Sequence, residues 1–155
     1  CLLEVYHAEQ TGGIIFEALL KNARNEEERF IFASMLQLET EAKAIMRPTL
    51  MRLGLSIEEN PLSREQGIKI GQTFQEISFE DLILNIKNSV ESIYLPQYEE
   101  LATLITEEDK ESIWLAKFMG DHERALLLAS NNIIDKSKEH IKPVTDMLRF
   151  PIAYR

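Results

Sequence analysis

Cysteine, glycine and proline are all scarce in this chain. One cysteine in 155 residues excludes an internal disulfide, and 6 glycines with 5 prolines are too few for the many turns of an all-β protein. Hydrophobic residues make up 45% of the chain and charged residues 28%, which is typical of a folded domain and not of a disordered segment. We therefore expect residues 1–155 to form a single, mostly helical domain.

Basic residues and long apolar runs are also in short supply. The chain has 17 basic against 26 acidic residues, a net charge of -9, and its basic residues form no cluster. We expect no nucleic-acid partner, because binding to a phosphate backbone depends on clustered positive charge. No apolar run approaches the ~20 residues that cross a bilayer, and no signal-peptide pattern is visible, so we also expect no membrane partner. Together with the lone cysteine, these features favour a cytoplasmic protein.

Apolar residues recur at helical spacing in four long segments, which predict an all-α fold. We place the helices at about residues 2–23, 26–53, 78–105 and 107–131, with a short helix in the middle connection and another in the tail over 132–155. Tight turns join the first two helices and the last two, whereas about two dozen residues join the second to the third. Two antiparallel hairpins linked by one long crossover form a standard four-helix-bundle topology.

One ionisable residue interrupts the apolar stripe of each long helix: Glu9, Glu39, Glu91 and His122. Burial of an ionised group is costly unless the group is paired or binds a metal. Residues equally far from a hairpin turn lie at the same height, so a turn near residue 24 places Glu9 opposite Glu39. A turn near residue 106 brings His122 level with a position next to Glu91. We therefore expect the four side chains to meet inside the bundle.

Three carboxylates and one imidazole are the ligand types of a transition-metal site. Such oxygen and nitrogen donors suit iron, manganese or zinc. We accordingly predict that Glu9, Glu39, Glu91 and His122 bind a metal ion.

Two metal-free interpretations of these residues stay open. In the first, Glu9 and Glu39 form ion pairs with Lys43 or Arg47, and His122 is a hydrogen-bonded core residue. In the second, Glu9 and Glu39 are an acid and base whose mutual repulsion raises one pKa. No nucleophile motif accompanies such a pair in this sequence.

The first helix carries more apolar surface than one packing seam needs. Its second apolar face consists of Ile14, Ile15, Ala18 and Leu19. Helical bundles commonly bury a spare face of this kind against a second copy, so we predict a homodimer. This face favours a metal-free bundle that acts as a binding or assembly module.

The other ionisable residues near these positions receive no role from the sequence. Asp121 and Glu123 flank His122 and are expected to face solvent. His7 and His140 are expected at the surface or in the tail.

Short motifs in the chain resemble the ferritin-like superfamily. The segment Tyr6-His-Ala-Glu-Gln-Thr-Gly-Gly13 is similar to the opening of ferritin-like carboxylate-bridged hydroxylases, such as those of ubiquinone biosynthesis. The segments Leu36-Gln-Leu-Glu-Thr40 and His122-Glu-Arg-Ala-Leu126 are similar to a small bacterial branch of the superfamily with degenerate metal motifs. The resemblance covers roughly residues 2 to 131 and implies a four-helix bundle that holds two metals.

The chain departs from the family pattern at two ligand positions. The pattern has Glu on the first and third helices and Glu-x-x-His on the second and fourth. Here the second helix has Ala42 where histidine is expected, and the fourth has Met119 where glutamate is expected. Neither side chain can replace a hard oxygen or imidazole donor, so the resemblance implies at most one bound metal among the four residues named above.

Overall fold

The computed structural model describes residues 1–153, and over that range the chain is all-helical, without a β-strand. This confirms the predicted all-α class. The elements are α1 (Leu2–Lys21), α2 (Glu26–Arg52), α3 (Pro61–Thr73), α4 (Phe79–Ser89), a π-helical turn (Val90–Tyr94), α5 (Leu95–Thr103), α6 (Lys110–Ile134) and α7 (Lys142–Thr145). None of these helices is long and apolar enough to span a membrane.

Polar side chains at the helix starts explain where the long helices begin. The side chain of Asn25 accepts a hydrogen bond from the backbone N–H of Glu28, and the Glu28 carboxylate accepts one from the backbone N–H of Arg24. Ser78 caps α4, and Asp109 caps α6 in the same way. These contacts satisfy N–H groups that have no partner within the helix. The short helix of the crossover begins at Pro61, with Asn60 as its cap.

The two hairpins pack against each other through α2 and α6. α1 packs on α2, and the continuous segment α4–π turn–α5 packs on α6. The apolar core consists of two separate clusters, one containing Tyr6, Met46 and Leu115 and the other containing Phe16, Leu126 and residues around them. The region between the two clusters is where polar side chains enter the interior.

The crossover helix α3 lies on α1 and covers its second apolar face. A Cβ atom at Gly67 would be 2.6 Å from the Cβ of Ile14, and one at Gly71 would be 2.9 Å from the Cβ of Ala18. The two glycines therefore allow the helices to approach closely. The face that suggested a homodimer is thus partly covered within the chain, since Leu19 is buried and Ile14, Ile15 and Ala18 are half-buried. The homodimer itself stays a prediction.

A π-helical turn interrupts the third long helical segment just before Pro96. The backbone N–H of Leu95 donates to the carbonyl of Val90, five residues back. The wider turn rotates the chain less per residue than an α-helix does, so two residues eight positions apart, Val90 and Tyr98, lie on the same inner face and are both buried. Glu91 lies at the surface, with its carboxylate 3.3 Å from Lys87 Nζ. The expectation that Glu91 points inward is therefore wrong: Glu91 is one residue beyond the buried Val90, and a rotation of about 100° per residue carries its side chain off the inner face.

Candidate functional site

Five polar side chains from four helices meet between the two apolar clusters. They are Glu9 of α1, Glu39 of α2, Tyr98 of α5, and His122 and Glu123 of α6, and each is at most 3% exposed. We call this group the buried polar cluster. Four ionisable groups and a phenol this deeply enclosed form a strong electrostatic unit, because little water remains to screen them.

His122 is the centre of the cluster. Its Nε2 atom lies 3.1 Å from Glu9 Oε2 and 3.8 Å from Glu39 Oε1, while its Nδ1 atom lies 3.2 Å from Glu123 Oε1. The Tyr98 hydroxyl donates a hydrogen bond of 2.5 Å to Glu9 Oε1. Burial, followed by the nearby Glu9 carboxylate, raises the pKa of Tyr98 well above its usual value, so the phenol stays a donor.

A glycine on α1 makes room for the second carboxylate. A Cβ atom at Gly12 would be 2.8 Å from Glu39 Oε2 and 3.0 Å from Glu39 Cδ. The 2.8 Å distance is shorter than real Cβ contacts, so any larger residue at position 12 would force the Glu39 carboxylate to shift. The next glycine, Gly13, faces Lys43 Nζ at a hypothetical Cβ distance of 3.4 Å.

Three buried atoms of the cluster have no hydrogen-bond partner within residues 1–153. They are Glu9 Oε2, His122 Nε2 and Glu123 Oε2. The Glu9 and His122 atoms are close enough for an ion pair but do not form a hydrogen bond. Unsatisfied buried polar atoms are costly and rare, and an ion is one of the few things that accounts for several at one place.

The charges within the cluster are strongly coupled. Burial opposes ionisation of Glu9, but the charge of His122 and the polar contacts of the Glu9 carboxylate with His122, Glu39 and Tyr98 together outweigh it and lower the Glu9 pKa. Burial also disfavours protonated His122, yet the Glu9 and Glu39 carboxylates outweigh it and hold the His122 pKa well above its usual value. Burial raises the pKa of Glu39 strongly, with a further increase from Glu9, and burial raises the pKa of Glu123 too. These directions describe a Glu9–His122 ion pair beside two carboxyl groups that favour their protonated forms.

The structure brings together three of the four predicted site residues: Glu9, Glu39 and His122. Glu91 lies at the surface beside Lys87, outside the cluster. His122, and neither Lys43 nor Arg47, is the cationic group next to the two carboxylates, while Arg47 Nε donates to the hydroxyl of Tyr6.

Tyr98 and Glu123 were not among the predicted site residues. Tyr98 comes inward because of the π-helical turn, which the sequence did not reveal. Glu123 was expected in solvent, but it lies on the inner face of α6 with Met119 and Leu126, at spacings of four and three residues. That spacing is a helical signal, and it could have identified Glu123. Asp121 does face outward, next to Lys117 and Arg124.

The other two histidines lie away from the cluster. His7 Nδ1 is 3.1 Å from the side-chain nitrogen of Asn60, which ties α1 to the start of α3. His140 Nε2 is 3.1 Å from Glu27 Oε1 near the beginning of the tail. Both contacts join neighbouring segments of the chain, in keeping with the absence of an assigned role.

The cluster has the donor atoms of a small metal centre. Glu9, His122 and Glu123 each offer one ligand atom, and these atoms lie within 4.8 Å of one another. Glu39 Oε1 approaches the same His122 nitrogen as Glu9. Carboxylate oxygens and imidazole nitrogen without thiolate fit iron, manganese or zinc.

Comparisons with models of protein families, with curated proteins and with solved structures gave no match to this chain.

Proposed function

We propose that this chain is a ferritin-like helical-bundle protein that binds one transition-metal ion in the buried polar cluster. The observation that carries the proposal is the convergence of Glu9 Oε2 and His122 Nε2, two buried atoms 3.1 Å apart that form no hydrogen bond. An ion between such atoms would replace their missing hydrogen bonds and offset the excess negative charge.

Glu9, Glu39 and His122 are the proposed ligands. Glu123 accepts from His122 Nδ1, which fixes the imidazole so that Nε2 faces the two carboxylates. A carboxylate behind a histidine ligand is a common arrangement around protein-bound metals, since it sets the tautomer and increases ligand basicity. When bound, an ion of this kind supplies Lewis acidity or a redox centre. The protein's part is to hold the ligands in place and to keep water out.

The cluster has too few donors for the two metals that the family resemblance implies. Ala42 and Met119 occupy the places of a histidine and a glutamate, and both are fully buried apolar residues. The third long helical segment contributes the Tyr98 phenol in place of a carboxylate. The proposal is therefore limited to a single ion.

Metal analysis of purified protein tests the proposal. We would purify the wild type, His122→Ala and His140→Ala without chelator, and measure metal by inductively coupled plasma mass spectrometry before and after incubation with Fe²⁺, Mn²⁺ and Zn²⁺. Near-stoichiometric metal is expected in the wild type and in His140→Ala, whose histidine lies at the tail, and much less in His122→Ala. Equal metal contents in all three proteins would contradict the proposal.

A metal-free binding or assembly module is the second candidate. The observation that favours it is the set of pKa directions in the cluster, which describes one neutralised ion pair and two protonated carboxyl groups. Such a cluster is satisfied without a cation and would serve to fix the helix register. The same metal analysis separates the two candidates, because this one requires no metal in the wild type after incubation with any of the three ions.

A further inference from the structure

A cavity of about 100 Å³ lies next to the buried polar cluster, on the side of α1 and α4. The backbones of α1 and α4 do not come into close contact over the described residues, and the cavity occupies the gap between them. The crossover helix α3 forms its outer wall through Ile70 and Phe74. The space is therefore bounded by several helices, as the binding pockets of small molecules commonly are.

Most of the cavity surface is apolar. In addition to the two α3 side chains, α1 contributes Ile15 and Phe16, and α6 contributes Leu126. Water gains few hydrogen bonds between walls of this kind, whereas an alkyl group gains close contacts with them. The walls therefore favour a ligand whose larger part is aliphatic.

Two hydroxyl groups on the third helical segment give the cavity a neutral polar edge. Ser89 ends α4 and Tyr94 ends the π-helical turn, and both side chains line the cavity and are half-buried. Their separation of five residues is about one turn of a π-helix, so they lie on the same side of the segment. Neither hydroxyl forms a hydrogen bond with another residue of the described range 1–153. A ligand hydroxyl could donate to one of them and accept from the other.

The carboxyl groups of the buried polar cluster border the same cavity, but their contacts are made within the cluster. Glu9 Oε1 accepts from the Tyr98 hydroxyl, and Glu123 Oε1 lies 3.2 Å from His122 Nδ1. A hydroxyl ligand at the polar edge does not need them, because it is bonded by two neutral side chains. The site is therefore independent of the protonation of the cluster.

The volume of the cavity limits the size of the ligand. Apolar cavities of ~150 Å³ bind benzene, which has six carbon atoms. At the same packing, a cavity of about 100 Å³ holds about four heavy atoms. A hydroxyl group with a chain of three carbons has this size, whereas a six-membered ring with a substituent does not.

From this geometry we infer that the cavity binds a short, uncharged aliphatic alcohol, with its hydroxyl group at Ser89 and Tyr94 and its alkyl chain between α1, α3 and α6. An ionised ligand is disfavoured, because the two hydroxyl groups bring no charge that would compensate for its lost hydration. The inference goes beyond the proposed function, since neither Ser89 nor Tyr94 is a proposed metal ligand and the alcohol needs no metal.

The matched probes are 1-propanol and 1-hexanol, which share a hydroxyl group but differ in chain length. We would titrate ¹⁵N-labelled protein with each alcohol in excess chelator and follow the backbone amides by NMR. 1-Propanol should shift the amides around the cavity with a millimolar Kd, because so small a ligand makes few contacts. On an open apolar surface 1-hexanol would bind more tightly, since it buries more area. In this cavity its longer chain does not fit, so its binding at the same amides should be lost.

Substitutions on the third helical segment test the polar edge. Tyr94→Phe and Ser89→Ala each remove one neutral hydrogen bond and should weaken 1-propanol binding by about 5-fold. Ser92→Ala is the control, because the Ser92 hydroxyl donates to the carbonyl of Asn88 and does not line the cavity. Its affinity for 1-propanol should equal that of the wild type.

A pair of variants in α3 tests whether the cavity is the binding site. Ile70→Trp fills the outer wall of the cavity and should abolish 1-propanol binding. Ile68→Trp is its control, because Ile68 lies on the same helix, is 43% exposed and does not line the cavity. Circular dichroism shows whether each variant is folded, and Tyr94→Phe keeps the test valid if Ile70→Trp is not.

The outcomes separate this inference from the metal proposal. Tighter binding of 1-hexanol than of 1-propanol, equal 1-propanol affinities in Tyr94→Phe and Ser92→Ala, or equal affinities in the two tryptophan variants would overturn the inference. Metal content is measured on chelator-free samples of the same proteins. Alcohol binding in a protein that takes up no metal would leave the inference standing alone, whereas metal without alcohol binding would overturn the inference and leave the proposed function intact.

Discussion

Replacement of Gly12 by alanine should move one proposed metal ligand while leaving its chemistry unchanged. The new Cβ atom would be 2.8 Å from Glu39 Oε2, so the carboxylate must retreat by about 0.6 Å to reach the 3.4 Å of an ordinary contact. Metal–ligand distances tolerate deviations of only ~0.2 Å. We therefore expect Gly12→Ala to weaken metal binding by ~10–100-fold, the range found when the support of a metal ligand is disturbed.

Gly120→Ala is the matched control for this prediction. It also replaces a helical glycine, but its Cβ would meet only the guanidinium of Arg124, a 50% exposed side chain whose ion pairs with Asp121 and Glu99 are at the surface. Removal of a glycine from a helix interior stabilises by up to ~1 kcal/mol, which raises the melting temperature by about 2–4 °C for a chain of this size. Gly120→Ala should show this gain, whereas in Gly12→Ala the displaced carboxylate should offset it.

Two measurements decide the result. Competition titration with Zn²⁺ gives the metal affinity of each variant, and thermal unfolding in chelator gives its stability. Equal Zn²⁺ affinities in Gly12→Ala and Gly120→Ala, together with equal melting temperatures, would refute the reasoning, because they would mean that Gly12 does not hold the space for Glu39.

Two further substitutions test the hydrogen bonds around the site and the cap of α6. Tyr98→Phe removes a donor to the buried Glu9 carboxylate and should cost ~1.5–3 kcal/mol of unfolding free energy in urea. A cost of ~1 kcal/mol or less, as expected for a neutral hydrogen bond, would contradict the charged nature of the Glu9 contact. Hydrogen bonds from Ser112, and then the Arg52 guanidinium, lower the pKa of Asp109 from 3.8 to about 2. Because the pKa of Asp109 is lower in the folded protein than in the unfolded chain, its ionised carboxylate stabilises the fold fully at any pH above 3.8. The stability advantage of wild type over Asp109→Asn in urea titrations should therefore be constant above pH 3.8 and disappear as the pH falls to about 2. An advantage that persists at pH 2 would count against this assignment.

Much of the fold could be predicted from the sequence because its signals are local. Apolar spacing located the long helices, and side chains such as Ser78 marked where they begin. The packing of α3 on α1 could not be predicted in this way. It depends on Gly67 and Gly71 facing particular side chains of another helix, and two glycines within a short helix indicate only a weak helix when read along the chain.

The candidate site was predictable where the helices are regular. Glu9, Glu39 and His122 lie on uninterrupted α-helices, so their periodicity gave the correct face. Glu91 was predicted from a height match that is good only to one residue, and the inward position is its neighbour Val90, about 100° away around the helix. Pro96 indicates that the helix is irregular near this position, because proline has no backbone N–H to donate. Such a residue can bend, end or widen a helix, and the sequence does not show which of the three occurs.

The residue that the third helical segment places on the inner face is Tyr98 and not Glu91. This difference also explains why the proposed site suits one ion. A third-helix carboxylate would add a ligand and a negative charge, whereas the Tyr98 phenol adds neither and instead donates to Glu9 Oε1. That bond occupies one oxygen of Glu9 and leaves Oε2 to face His122. Glu9 would therefore offer Oε2 to the proposed ion. With His122 Nδ1 next to Glu123, the imidazole likewise has Nε2 to offer. These two free donors are 3.1 Å apart, which fits the proposal of a single ion shared between them.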